Sequence, residues 1–174
     1  IRIVMLKDIY FLNTQALTEE LKSGTFTEIR ALKHLIISTI IGRFAFEFPV
    51  VIEFSESEIS IWRNIFGILL FIVSGFITYY GLWLTYQANQ KGDGKDFFLR
   101  LTSLILPIGF KLVIYFMLIG LVLGFIATLL VSSLNTVGMV VSVTLLFVAT
   151  VVFYSFFYIQ LRNNIAIISG HENV

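Results

Sequence analysis

The 174-residue chain has no cysteine, two prolines and two histidines. Without cysteine there is no disulfide framework, no thiolate metal site and no cysteine nucleophile. Charge is scarce as well. Twelve basic and 11 acidic residues make up 13% of the chain, against roughly 25% in an average soluble domain. The formal net charge of +1 leaves no basic excess for a nucleic-acid partner. With 57% hydrophobic residues the chain is not disordered either. No Asn-X-Ser/Thr sequon occurs, which favours a prokaryotic or an unglycosylated protein. No cleavable signal peptide is expected, because Lys7, Asp8 and the polar run from Asn13 to Lys22 interrupt any apolar segment. These absences leave an integral membrane protein.

What the sequence does contain is long apolar runs. A hydrocarbon core of about 30 Å needs roughly 20 apolar residues in a helix. Ile59 to Tyr86 is the clearest, with no charge after Arg63, a Ser55–Glu58 capping box before it, and Trp62, Trp83 and Tyr86 placed for interfacial belts. Val137 to Leu161 is uncharged until Arg162, and its Phe153–Tyr158 stretch reads as an aromatic girdle. The run from Phe97 to Leu134 is too long for one span, so a break is expected at Pro107, with 97–106 interfacial or tilted and a helix from Pro107 to about Val131. A weaker run follows the Thr25-Phe26-Thr27-Glu28 capping box, which predicts a helix from Phe26 to Pro49. Arg43 and Glu47 interrupt it, but Ile36, Ile37, Ile40, Ile41, Phe44 and Phe48 surround the helix as in a span rather than lining one face.

The expected fold is therefore all-α: a polytopic four-helix transmembrane bundle with an N-terminal amphipathic helix. Residues 1–24 form a cytoplasmic arm with a helix over Thr14 to Lys22, stopped by Gly24. Residues 25–174 form one membrane domain with spans near 32–52, 59–86, 107–131 and 137–161. Four spans put Arg2, Lys7, Lys22, Arg30, Lys33, Lys91, Lys95, Arg100 and Arg162 on one side, nine of the 12 basic residues. The positive-inside rule then places both termini in the cytoplasm.

Few residues lie outside this account. Arg43 and Glu47 share a helix face four apart and are candidates for an intramembrane polar site, with the alternative that they pair only to fix packing. Lys111 snorkels to the interface if its helix starts at Pro107. If that helix runs straight from Arg100, Lys111 lies near mid-membrane with Glu47 as counter-charge. Gly120, Gly124 and Thr128 form a small-residue face for helix packing or oligomerisation. Glu53, Glu56 and Glu58 make an acidic outer loop, which in an oligomer would ring a pore mouth. Lys91, Asp93, Lys95, Asp96 and Arg100 mark a cytoplasmic loop suited to a protein partner, and its spacing fails the P-loop pattern.

No zinc-protease motif or catalytic triad can be assembled around His34 and His171, and no metal or cofactor is expected. The expected role is a non-enzymatic membrane subunit, oligomeric and engaging a cytoplasmic partner. A channel or permease using Arg43, Glu47 and Lys111 is the alternative, and a metal-dependent membrane enzyme using Asp93 and Asp96 ranks third.

Overall fold

The computed structural model describes residues 9–47 and 59–170, without the side chains at 42–47, 59–64, 130–136 and 139. Glu53, Glu56, Glu58 and the capping box at Ser55 lie outside the described residues. Within them every regular element is helical. α1 is Thr14–Ser23, α2 is Glu28–Glu47 and α3 is Ile59–Lys91.

A last helical run, Phe97–Ile168, has 72 residues and would be roughly 108 Å long if straight. It is not straight. The Phe116 and Phe153 rings are 4.8 Å apart, and the Ser142 hydroxyl lies 3.4 Å from the Ala127 carbonyl oxygen. Both pairs are centred near residue 134, so the run doubles back there as an antiparallel hairpin. Its arms are α4 (Phe97–Leu129) and α5 (Val140–Ile168). α3 lies alongside α5 and parallel to it: Phe66 meets Phe147, Gly81 meets Tyr158, and the Ser169 hydroxyl donates to the Ala88 carbonyl.

Local chemistry sets most of the helix ends. The Asn13 side chain accepts the Ala16 N–H, which starts α1, and Gly24 at φ 69° ends it in the left-handed region where a Cβ is unfavourable. α2 begins two residues later than Phe26. The Thr27 carbonyl accepts from Arg30 and Ala31, while the Thr25 hydroxyl turns back to the Glu20 carbonyl. α3 and α5 run past the expected Tyr86 and Leu161, to Lys91 and Ile168.

The expected break at Pro107 is absent, and 97–106 is not a separate segment, because α4 passes through the proline as one helix. Lacking an N–H, Pro107 cannot bond the Ser103 carbonyl one turn back. Burial compensates on both sides. Leu104, Leu106, Pro107 and Ile108 are all buried, and Leu104 and Ile108 belong to a core with Leu17 and Leu21 of α1. Tertiary packing, not local preference, decides the helix here.

Among the described residues three helices are long and apolar enough to cross a membrane: Ile65–Lys91, Phe97–Leu129 and Val140–Ile168. α2 is not among them; its side chains are described only as far as Ile41. The remainder of the expected 32–52 span lies outside the described residues.

The hydrophobic core sits at one end of these helices. Leu17 and Leu21 of α1, with Phe26 and Ala31, pack on Leu104, Ile108 and Leu112 of α4 and on Leu161, Ile165 and Ile168 of α5. Beyond this cap many apolar side chains are bare. Phe71 is 80% exposed and Leu121 71%, and α5 shows Val148, Val152, Phe156 and Ile159 on its surface. On α4 the change from buried to bare falls between Leu112 and Ile114; on α5 it falls between Ile159 and Leu161.

Candidate functional site

Polar chemistry is concentrated in the cap. The α3–α4 connection is a tight turn in which Gly94 and Asp96 have φ of 67° and 48°. Arg100, one turn into α4, is only 5% exposed. Its guanidinium donates to both Asp93 carboxylate oxygens at 2.6 Å and to the Asn89 side-chain oxygen at 2.8 Å. Asn89, itself buried, donates to the Lys95 carbonyl. The Asp93 N–H donates to the Ser169 carbonyl, which ties the turn to the end of α5. Hydrogen bonds from Arg100 hold the Asp93 carboxyl below its ordinary pKa, against a smaller opposing effect of burial. A bidentate arginine–carboxylate pair of this kind fixes orientation as well as charge.

A second network joins the N-terminal arm to α1 and α2. Glu20 accepts from the Tyr10 hydroxyl at 2.9 Å and from Arg30 at 2.6 Å, and the Arg30 guanidinium lies over the Phe26 ring. His34 is fully buried, edge-on to Phe26. Its Nε2 accepts the Tyr10 N–H at 3.1 Å, so the ring is neutral and Nδ1 carries the proton that it donates to the Arg30 carbonyl. Both ring nitrogens are thus used structurally.

Lys111 is placed by a third contact. Although α4 runs straight from Arg100, its ammonium reaches Thr14 at the start of α1, with Nζ to Oγ1 3.3 Å. It lies where α4 leaves the cap.

The remaining sequence candidates lie elsewhere or outside the described residues. Arg43 and Glu47 are on the last turns of α2, and their side chains lie outside the described residues. A Cβ placed on Gly120 or Gly124 would meet nothing within 4 Å, and Thr128 is exposed and bonded to the Gly124 carbonyl, so this face is vacant among the described residues. Gly81 and Gly92 pack closely instead, against Tyr158 and Ser169. Of the α3–α4 turn, Asp93 and Arg100 are committed to each other, while Lys91, Lys95 and Asp96 are exposed. Among the described residues no three His, Asp or Glu side chains come together as metal ligands. Sequence reasoning missed the His34 and Arg100 networks. It also missed the buried Nε of Arg162, which has no hydrogen-bond acceptor among the described residues. No protein family, characterised protein or solved structure matches this chain.

Proposed function

We propose that the chain is a multi-pass, non-enzymatic subunit of a homo-oligomeric membrane assembly, resident in a bacterial cytoplasmic membrane with both termini inside. The observation that carries this reading is the bare apolar belt. From Ile114 to the reversal near residue 134 is about 20 residues, or roughly 30 Å of helix, the thickness of a hydrocarbon core. The exposed apolar stretch of α3, Ile65 to Tyr86, has a similar length, with Trp83 and Tyr86 at its cap end as in an interfacial belt. α2 is the fourth span in this proposal. Its outward Leu32, Ile36 and Ile40 are bare, and the nine basic residues then share the cap side.

Assembly is supported by the vacant Gly120–Gly124–Thr128 face, where close backbone approach would add packing that lipid cannot. The exposed Lys91 and Lys95 offer a cytoplasmic partner its contact. The channel alternative is weakened because Lys111 turns to Thr14, and the enzyme alternative because Asp93 is occupied by Arg100.

Native mass spectrometry from lipid nanodiscs tests the proposal. Wild type is expected at multiples of 19.8 kDa and the Gly120→Leu/Gly124→Leu double variant as a monomer. A wild type that stays monomeric at every protein-to-lipid ratio overturns it.

A further inference from the structure

We infer that the groove between α1 and the α4/α5 hairpin binds a membrane glycerophospholipid, with Lys22 and Lys111 holding its phosphate and its acyl chains running onto the bare belt. The inference rests on the membrane reading above and adds a ligand to it.

The groove has a volume of about 570 Å³, within the roughly 300–1,000 Å³ of small-molecule sites. Its polar wall is drawn from three helices: Glu19 and Lys22 of α1, Lys111 of α4, and Gln160 and Asn164 of α5. An ammonium has three donors to satisfy. Lys111 is half-buried, makes one long hydrogen bond to Thr14, and has no ion pair among the described residues. A partly desolvated, unpaired charge favours an anionic ligand. Two ammonium groups against the single Glu19 carboxylate leave one net positive charge, matching the one negative charge of a phosphodiester.

The groove also has apolar lining, which includes Leu112, Tyr115 and Phe156. Tyr115 is 59% exposed and Phe156 48%, and both stand where α4 and α5 emerge from the cap. A soluble anion would leave that lining uncovered. An amphiphile with its phosphate at Lys111 covers it and continues along the belt, and Lys111 lies at the depth where headgroups belong. The ligand class is therefore a diacyl lipid with a phosphodiester headgroup.

The test uses the full chain purified in neutral detergent, with phosphatidylglycerol added and bound lipid read by native mass spectrometry and thermal unfolding. One lipid per chain is expected to be retained, with a rise in unfolding temperature. The Lys22→Gln/Lys111→Gln variant is expected to need at least tenfold more lipid for the same occupancy, and Lys111→Arg to need about the wild-type amount. Lys22 is exposed, so Lys22→Gln alone leaves folding intact and is expected to weaken retention about threefold. Diacylglycerol with the same chains, and inorganic phosphate, are each expected to fail to protect.

Wild-type retention by the double variant or by Lys22→Gln overturns the inference. So does equal protection by inorganic phosphate, which would mark a soluble-anion site, or by diacylglycerol, which would mark an apolar groove alone. The same spectra report subunit number separately from lipid adducts, so a failure of assembly and a failure of lipid binding are distinguished.

Discussion

Over its first 16 residues α4 is covered by α1 and α2, and Arg100, Ser103, Leu104, Leu106, Ile108 and Leu112 are buried. Over the rest of the same helix Met117, Leu118, Leu121, Val122 and Phe125 are more than half exposed. Both stretches are dominated by apolar residues, but only the first carries charge, at Arg100 and Lys111. They also differ in the medium that covers them. In the cap, protein covers the helix, and polar groups are admitted only with partners: Arg100 with Asp93 and Asn89, His34 with Tyr10 and Arg30. In the belt, side chains of this size are bare over far more than the apolar patch of a soluble monomer, and another apolar phase must cover them. The cap therefore holds the stability that comes from packing within the chain, and the belt depends on the apolar phase around it.

The sharpest break of this contrast is Leu17→Ala. Leu17 is fully buried where α1 meets α4 and α5, and truncating such a leucine costs about 3 kcal/mol. The expected result is a lower denaturant midpoint with early proteolytic release of α1, while the belt stays helical by circular dichroism. Arg100→Met follows, at about 2 kcal/mol. It strands the buried Asn89 oxygen, while Asp93, 37% exposed at its side chain, regains water. Faster cleavage of the 92–96 turn measures it. Full wild-type stability in either variant would show that the cap does not fold as described.

Glycine substitutions divide the two regions differently. A Cβ on Gly81 would overlap the root of the Tyr158 ring, which cannot swing aside as a chain end does. Gly81→Ala is therefore expected to cost between about 1 and 3 kcal/mol of unfolding free energy. At Gly120 the same change meets no described atom within 4 Å, so in monomeric protein alanine is expected to gain about 0.5–1 kcal/mol over glycine. An equal loss at both positions in the monomer would mean that the Gly120 face is packed within the chain.

The belt was legible from sequence because it depends only on the length and continuity of apolar residues. α3 and α5 could be placed from the apolar runs that begin at Ile59 and Val137, and the end of α1 from Gly24. The cap was less legible because its contacts cross the chain. Lys111 finds Thr14 at a separation of 97 residues and His34 finds Tyr10 at 24, neither of them a helical spacing. Asp93, Asn89 and Arg100 meet only because a tight turn folds α3 against α4. The error at Pro107 has the same origin. Proline read locally predicts a break, and only the packing of α1 across it reverses that reading.

The smallest predicted effect is also the most selective. Asp93 has a folded-state pKa below its ordinary value, chiefly through hydrogen bonds from Arg100. The pair therefore contributes stability above the unfolded carboxyl pKa of about 3.9, and that contribution is lost as pH falls through the lower folded value. Because Asp93 is more than a third exposed, solvent screening limits the contribution to below about 1 kcal/mol. No acidic residue lies between Ile59 and Gly92 or between Phe97 and Gly170, so α3, α4 and α5 have no carboxylate of their own to titrate. Acid is thus expected to loosen the cap and leave the belt intact. Below pH 4 the 92–96 turn should become more sensitive to an acid-active protease while helical circular dichroism stays constant, and Asp93→Asn should abolish the pH dependence. A parallel loss of helix would show that the two regions unfold as one unit.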